Sequence, residues 1–413
     1  MSDAPSAPFV VDLHAHFPMQ FDPEDFRSRL RRRRHQEKLG DKLRFVALEI
    51  ADRFFNREHA TDGHAVTLDT LARGNVGVAL SVAYDPLHEL EIEPWPAPPK
   101  DHYAKTLLDL LDRVESEVAA DSQDRARVVR NFAELREARA LGKVALIHAV
   151  EGGFHLGRDE EAIEKHVEKL AHRGVGYVTV AHLFWRRVAT NVPALPFMPD
   201  MLYRAIFKQD DAIGLDERGR VVVREMVKHG ILVDVTHMSK QGMRETFAML
   251  DRVDPGRTVP VIASHVACSF GKFAYNLERE FVDHIAARKG VCGVIYCDHF
   301  VRDGRGARTK TFEESFGFIE AQIEKLRAWG GDDVLAIGSD LDGFIKPTLA
   351  GLSSALDHAK LSARLQQRYG ATLAAKICHA NALRVFERAW MKPFEWSEPR
   401  EPAAVARERS AAS

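Results

Sequence analysis

The chain has 413 residues, with 58 Lys+Arg against 60 Asp+Glu and a formal net charge of −2. That balance argues against a general nucleic-acid binder, which needs a basic excess to neutralise phosphates, and no apolar run reaches the ~18 residues of a membrane span. With 45% hydrophobic and 29% charged residues, the chain is long enough for one large α/β barrel or for two to three average domains.

The first apolar run, Phe9–Leu13, predicts a strand that leads into Asp12-Leu13-His14-Ala15-His16. A long segment, roughly 18–75, separates it from a second strand, Val76–Val82. Another, roughly 85–142, precedes the third, Val144–Val150, which ends in Glu151-Gly152-Gly153. Both segments exceed ordinary connections and read as partly helical insertions that shape the mouth of a site. The later strands are Gly176–Ala181, Ile231–Thr236, Val259–Ser264, Val291–Cys297 and Val334–Ser339. Amphipathic stretches alternate with them: His102–Ala119, Asp159–His172, Asp216–His229, Lys240–Leu250, Asn276–Arg288 and Phe312–Trp329. In Asp216–His229, Val222, Val223, Met226 and Val227 recur at helical spacing, and Gly230 stands just past the end.

Eight short β-branched runs separated by helices predict a (β/α)8 barrel over residues 1–395, with its chemistry at the strand C-termini. A doubly wound open sheet is the alternative, but no Gly-rich phosphate loop comes after the first strand. The Glu-, Arg-, Ala- and Ser-rich residues 396–413 read as a disordered tail. Cys268, Cys292, Cys297 and Cys378 form no CxxC pair, and MSDAPSAPF lacks the basic and apolar regions of a leader. A reduced, cytoplasmic protein is therefore expected.

The polar residues at the ends of the apolar runs carry the chemistry. His14 and His16, Glu151, His182, His237, His265 and Asp340 all stand at strand ends. Seven groups able to bind a cation or move a proton thus converge on one barrel mouth. Imidazoles and carboxylates are the ligands that zinc-like ions prefer. His14 and His16, two positions apart, share a strand face and can reach one ion. The chain holds 19 histidines, and a lone one is more often structural, so His148, His155 and His299, also near strands, are assigned to structure. Joint placement is different, because unpaired imidazoles and carboxylates do not crowd together without a cation.

The order of Asp12-Leu13-His14-Ala15-His16-Phe17-Pro18, Val150-Glu151-Gly152-Gly153, Asp234-Val235-Thr236-His237-Met238-Ser239, Ser264-His265 and Gly338-Ser339-Asp340-Leu341-Asp342-Gly343 resembles that of renal (membrane) dipeptidases, peptidase family M19. The likeness runs from about Val10 to Phe386. It implies a (β/α)8 barrel, a homodimer and two Zn²⁺ ions. It also implies hydrolysis of dipeptides, often with a D-residue on the C-terminal side, by a water activated between the metals. On this likeness His14 and His16 hold one metal and His237 and His265 the other. Glu151 bridges them, His182 polarises the substrate, and Asp340 is the acid/base. Elementary chemistry agrees: two ions ~3.5–4 Å apart can share a carboxylate and acidify a water.

Two departures stand out. The family usually has His-x-Asp after the first strand, where this chain has His16; His-x-His is the pattern of the wider amidohydrolase superfamily. Many relatives place an Arg before the Asn that corresponds to Asn276, to grip the substrate carboxylate, where this chain has Tyr275. Lys272 or Arg279 could substitute, and Trp185 could wall the substrate beside His182. Rival readings are a non-peptidic amidohydrolase or lactonase on the same barrel, and a metal-binding scaffold without turnover. The partner expected is a small molecule, with neither nucleic acid nor membrane. The basic cluster Arg27, Arg29 and Arg31 to Arg34, flanked by acids, reads as a solvated or inter-subunit face. Phe54-Phe55 and Trp95–Pro99 read as packing within the insertions.

Overall fold

The computed structural model describes residues 7–21, 64–89, 98–196, 198–391 and 394–397. The arginine cluster, Phe54-Phe55, residues 95–97 and nearly all of the expected tail lie outside them. Nine parallel strands form one sheet: β1 Val10–Ala15, β2 Val76–Ala83, β3 Ala126–Val128, β4 Val144–Glu151, β5 Tyr177–Thr179, β6 Leu232–Asp234, β7 Val261–Val266, β8 Cys292–Val294 and β9 Leu335–Ile337. Pairing of β2 with β4 closes eight of them into a barrel. The short β3 pairs with Val144–Leu146 at the lower end of β4, whose upper end pairs with β5. It was not foreseen, because three residues, Ala-Arg-Val, are too few to show a period.

The barrel interior is apolar below its mouth. Val11, Leu13, Val78, Leu80, Ile147, Tyr177, Leu232, Ile262 and Ala336 join one buried cluster with Val385 and Phe386 of the last helix, Asn381–Met391. That helix closes the floor. Arg384 and Arg388 donate to the carbonyls of Lys289 and Thr258, in the turns that lead into β8 and β7. Burying a side chain such as Phe386 contributes roughly 1.5–3 kcal/mol.

The predicted helices form with small shifts at their ends. Glu160–His172 starts at Asp159, whose carboxylate accepts from the Ala162 N–H, and Lys240–Val253 starts at Ser239, whose hydroxyl accepts from Gly242. Each such cap contributes on the order of 1 kcal/mol. The stretch read as Asn276–Arg288 is helical only over Arg279–Ala287. The segment 85–142 holds the short turn Pro86–Glu89 and the helices Tyr103–Ala120 and Phe132–Ala140. All four cysteines are free and buried.

Two β-bulges set the geometry of the mouth. Between Asp12 and Ala15, β1 takes three steps against two on β2; between Ala263 and Val266, β7 takes three against two on β8. An extra residue re-aims the side chains around it. Asp12 therefore leaves the barrel axis and meets Ser339 and His358, while Leu13 joins the interior cluster and His14 reaches Tyr177 and Ser264. On β7, Ser264 and His265 both face the interior groups.

Candidate metal centre at the barrel mouth

Five imidazoles surround the buried carboxylate of Glu151, and all present Nε2. From Glu151 Oε1, His14 lies at 3.3 Å, His265 at 3.6 Å and His237 at 3.7 Å. From Oε2, His182 lies at 3.2 Å and His16 at 3.5 Å. Asp340 Oδ1 stands 3.1 Å from His16 Nε2 and 3.8 Å from His14 Nε2. All seven residues taken from the strand ends thus come together. Three groups of them have ligand atoms within 4.8 Å of one another: His14, His16 and Asp340; His14, Glu151 and His265; Glu151, His182 and His237.

The hydrogen bonds behind the rings assign their tautomers. Tyr177 donates to the Leu13 carbonyl at 2.9 Å, so its oxygen accepts the Nδ1–H of His14 at 2.7 Å. Ser264 donates to Asp234 at 2.6 Å, so its oxygen accepts the Nδ1–H of His265 at 2.9 Å. In their neutral forms both rings therefore turn a bare Nε2 towards Glu151. His237 Nε2 is only 3.0 Å from His265 Nε2, and the two Nε2 atoms of His14 and His16 are 3.2 Å apart. A bare Nε2 crowded against a carboxylate and a second imidazole nitrogen at these distances is an arrangement that a cation satisfies.

The titration tendencies divide the rings into two kinds. Burial, then the charge of His182, holds His237 well below the usual imidazole pKa; burial, then His14, does so for His265. Both are neutral, the form that binds metal. Burial also opposes charge on His14 and His182, yet Glu151 outweighs it, raising His14 and, with Glu89, lifting His182 to about 9. Burial would raise the Glu151 carboxyl, but His182 and His14 hold it well below its ordinary value. The centre draws in positive charge, and its donor set fits divalent ions.

Three residues at the mouth, His237, Asp340 and Asp342, have φ of 65°, 59° and 64°. Left-handed backbone at non-glycine residues costs on the order of 1–3 kcal/mol each and gathers at functional sites. Gly343 makes room for the acid beside it: a Cβ there would lie 2.0 Å from Asp340 Oδ1.

Tyr275 forms part of the wall. Its hydroxyl donates to the His265 carbonyl at 2.6 Å, and its ring stacks on Phe300 with centroids 4.1 Å apart. Arg279 is exposed and pairs with Asp283 at 3.4 Å. Lys272 lies along Gly304, its ammonium 5.4 Å from the Phe273 ring. Trp185 is buried, its indole N–H has no partner among the described residues, and the Arg187 guanidinium lies 4.8 Å from its ring centroid. His148 pairs with Glu115, His155 binds the Gly152 carbonyl, and His299 packs on Phe273. None of these three joins the metal-ligand groups.

Sequence reasoning missed Glu89. It is fully buried and accepts from His182 Nδ1 at 2.7 Å, Tyr84 Oη at 2.6 Å and the Phe184 N–H at 2.9 Å. No local signal marks it. It closes a one-turn helix inside an insertion, 93 positions from the histidine it meets.

A parallel eight-stranded barrel with a His/carboxylate cluster at its mouth defines the class of barrels that carry a candidate metal centre at the strand C-termini. Within that class the chain belongs to the membrane dipeptidase family, peptidase family M19, whose model matches residues 7–393. It is 27% identical over 290 residues to dipeptidase tcpJ of Claviceps purpurea and 26% identical over 267 residues to dipeptidase verJ of Clonostachys rogersoniana. These matches take in 67% and 64% of this chain, which spans only 58% and 60% of those relatives' lengths. Among solved structures, it is similar to a metallopeptidase from Rhodobacter sphaeroides bound to a phosphinate mimic of the dipeptide L-Ala-D-Ala. There the TM-score is 0.67 at 20% identity, covering 93% of this chain and all of that one.

Proposed function

We propose that the protein hydrolyses dipeptides, including those with a D-residue on the C-terminal side, with two zinc ions held around Glu151. The observation that carries this reading is the convergence of five imidazole Nε2 atoms on one buried carboxylate, with Asp340 beside them. His14 and His16 would hold one ion, His237 and His265 the other, and Glu151 both. Bound there, the ions would supply Lewis acidity and lower the pKa of a water towards neutrality.

The chain's own groups supply the rest. His182, held from behind at Nδ1, presents Nε2 to the carbonyl oxygen as it gains charge; one such donor is worth about 3 kcal/mol. Asp340 takes a proton from the attacking water and returns it to the leaving amine nitrogen. Acceptance of a D-residue on the C-terminal side is supported by the ligand of the Rhodobacter sphaeroides relative, a mimic of L-Ala-D-Ala.

A second reading has its own support. The Tyr275 hydroxyl is committed to the His265 carbonyl, and a phenol cannot replace the bidentate guanidinium clamp on a free carboxylate. That favours a small amide or lactone lacking the terminal charge. One experiment addresses both. Chelator-stripped protein, with and without added Zn²⁺, is given L-Ala-L-Ala, L-Ala-D-Ala and their C-terminal amides, and release of alanine is followed. Zinc-dependent cleavage of the free dipeptides is expected. Cleavage of the amides alone would transfer support to the second reading, and no cleavage of the free dipeptides with zinc present would overturn the first.

A further inference from the structure

We propose that Glu89, from the insertion after β2, is a positioning residue that orients His182 in the hydrolytic site; the inference rests on the proposed dipeptidase activity.

The five imidazoles around Glu151 differ in what stands behind them. Nδ1 of His14 meets the Tyr177 hydroxyl and Nδ1 of His265 meets the Ser264 hydroxyl. Nδ1 of His16 and of His237 has no partner among the described residues. Only His182, among the described residues, is backed by a carboxylate, at 2.7 Å. An ionised carboxylate only accepts, so it pins the proton to Nδ1 and fixes the ring plane with Nε2 aimed at Glu151, 3.2 Å away. It also makes the imidazole a better holder of positive charge, which suits a group facing an oxygen that becomes anionic.

Glu89 is itself held so that it can do this. Its Oε2 takes the Tyr84 hydroxyl along with His182, while Oε1 takes the Phe184 N–H, two residues past the histidine. Its main-chain carbonyl accepts from the Arg186 guanidinium at 2.8 Å. The turn Pro86–Glu89 is thus fastened to the loop carrying His182 both before and after Trp185. Three donors surround the carboxylate. Glutamine supplies one neutral acceptor oxygen: placed at Oε2 it leaves its amide against the Phe184 N–H, and placed at Oε1 against His182 and Tyr84, so Glu89→Gln removes the charge and opposes at least one donor at nearly constant shape.

The test uses full-length, zinc-loaded protein. For Glu89→Gln, kcat on the best-cleaved dipeptide is expected to fall roughly 10- to 100-fold, with KM and bound zinc little changed. Tyr84→Phe removes one donor but leaves the Glu89–His182 contact, and its loss should be clearly smaller. A second readout is independent of turnover: the low-field proton resonance of the His182 Nδ1–H, identified by its loss in His182→Asn. It should move upfield or vanish in Glu89→Gln, which replaces the ionised acceptor by a neutral amide, and persist in Tyr84→Phe. Wild-type kcat in Glu89→Gln, or an unmoved resonance, would overturn the proposal. Wild-type protein that cleaves no dipeptide but shows the Glu89-dependent resonance would overturn the dipeptidase reading while leaving the orientation of His182 by Glu89 standing.

Discussion

Asp234 and Glu151 are both buried carboxylates inside the same barrel, and they have opposite surroundings. Asp234, lower down, accepts five hydrogen bonds: from the Thr236 and Ser264 N–H groups, each at 3.0 Å, and from the hydroxyls of Thr236, Thr179 and Ser264 at 2.6–2.7 Å. Neutral dipoles satisfy its charge completely. Around Glu151 the described neighbours are ring nitrogens, and that of His265, a neutral ring with its Nδ1–H given to Ser264, turns a lone pair towards it. The difference teaches that a buried acid provided with N–H and O–H donors is a structural strut, whereas one facing imidazole lone pairs is waiting for a cation. The strut also serves the site, since Asp234 orients Ser264, and Ser264 orients His265.

The contrast can be broken at each end. The largest effect is expected from Glu151→Gln. It should release both ions together and lower hydrolysis on the order of 10³-fold or more, the scale of several kcal/mol of metal assistance. Elemental analysis showing one ion retained would make Glu151 a ligand of a single metal. Asp234→Asn should act mainly on stability. An amide facing five donors leaves some unsatisfied, at roughly 1–3 kcal/mol, so metal-free protein should melt lower while still binding the wild-type number of zinc ions. Lost zinc with unchanged melting would put Asp234 on the functional side instead. The smallest effect is expected from Gly343→Ala, whose methyl displaces the Asp340 carboxylate. Turnover should fall, but by less than the ~10²-fold or more expected for Asp340→Asn, with metal content unchanged. Full activity would show that Asp340 tolerates displacement and is not the proton carrier.

Much of this was legible in the sequence, for reasons that also explain the gaps. Strands buried on both faces write themselves as runs such as Val76–Val82, and barrel topology brings their ends to one mouth, so His14, Glu151, His237 and Asp340 could be grouped from spacing alone. Bulges are not written that way. Strict alternation puts Asp12 on the face of His14, yet the extra residue in β1 sends Asp12 towards His358. Glu89 was hidden because its partner lies across the fold. Asp234 was in plain view within Asp-Val-Thr-His, but its role depends on hydroxyls from three strands or strand ends. In the sequence Tyr275 reads as a vacancy in a clamp; the structure shows where its hydroxyl goes, to the His265 carbonyl.

The central claim, that the cluster around Glu151 is a two-ion site, is tested most directly by diffraction from zinc-equilibrated crystals at the zinc absorption edge. Two anomalous peaks are predicted, both against Glu151 and within about 2.0–2.2 Å of imidazole nitrogens, one beside His14 and His16 and one beside His237 and His265. The contradicting result is zinc bound elsewhere on the protein with no anomalous peak within reach of Glu151.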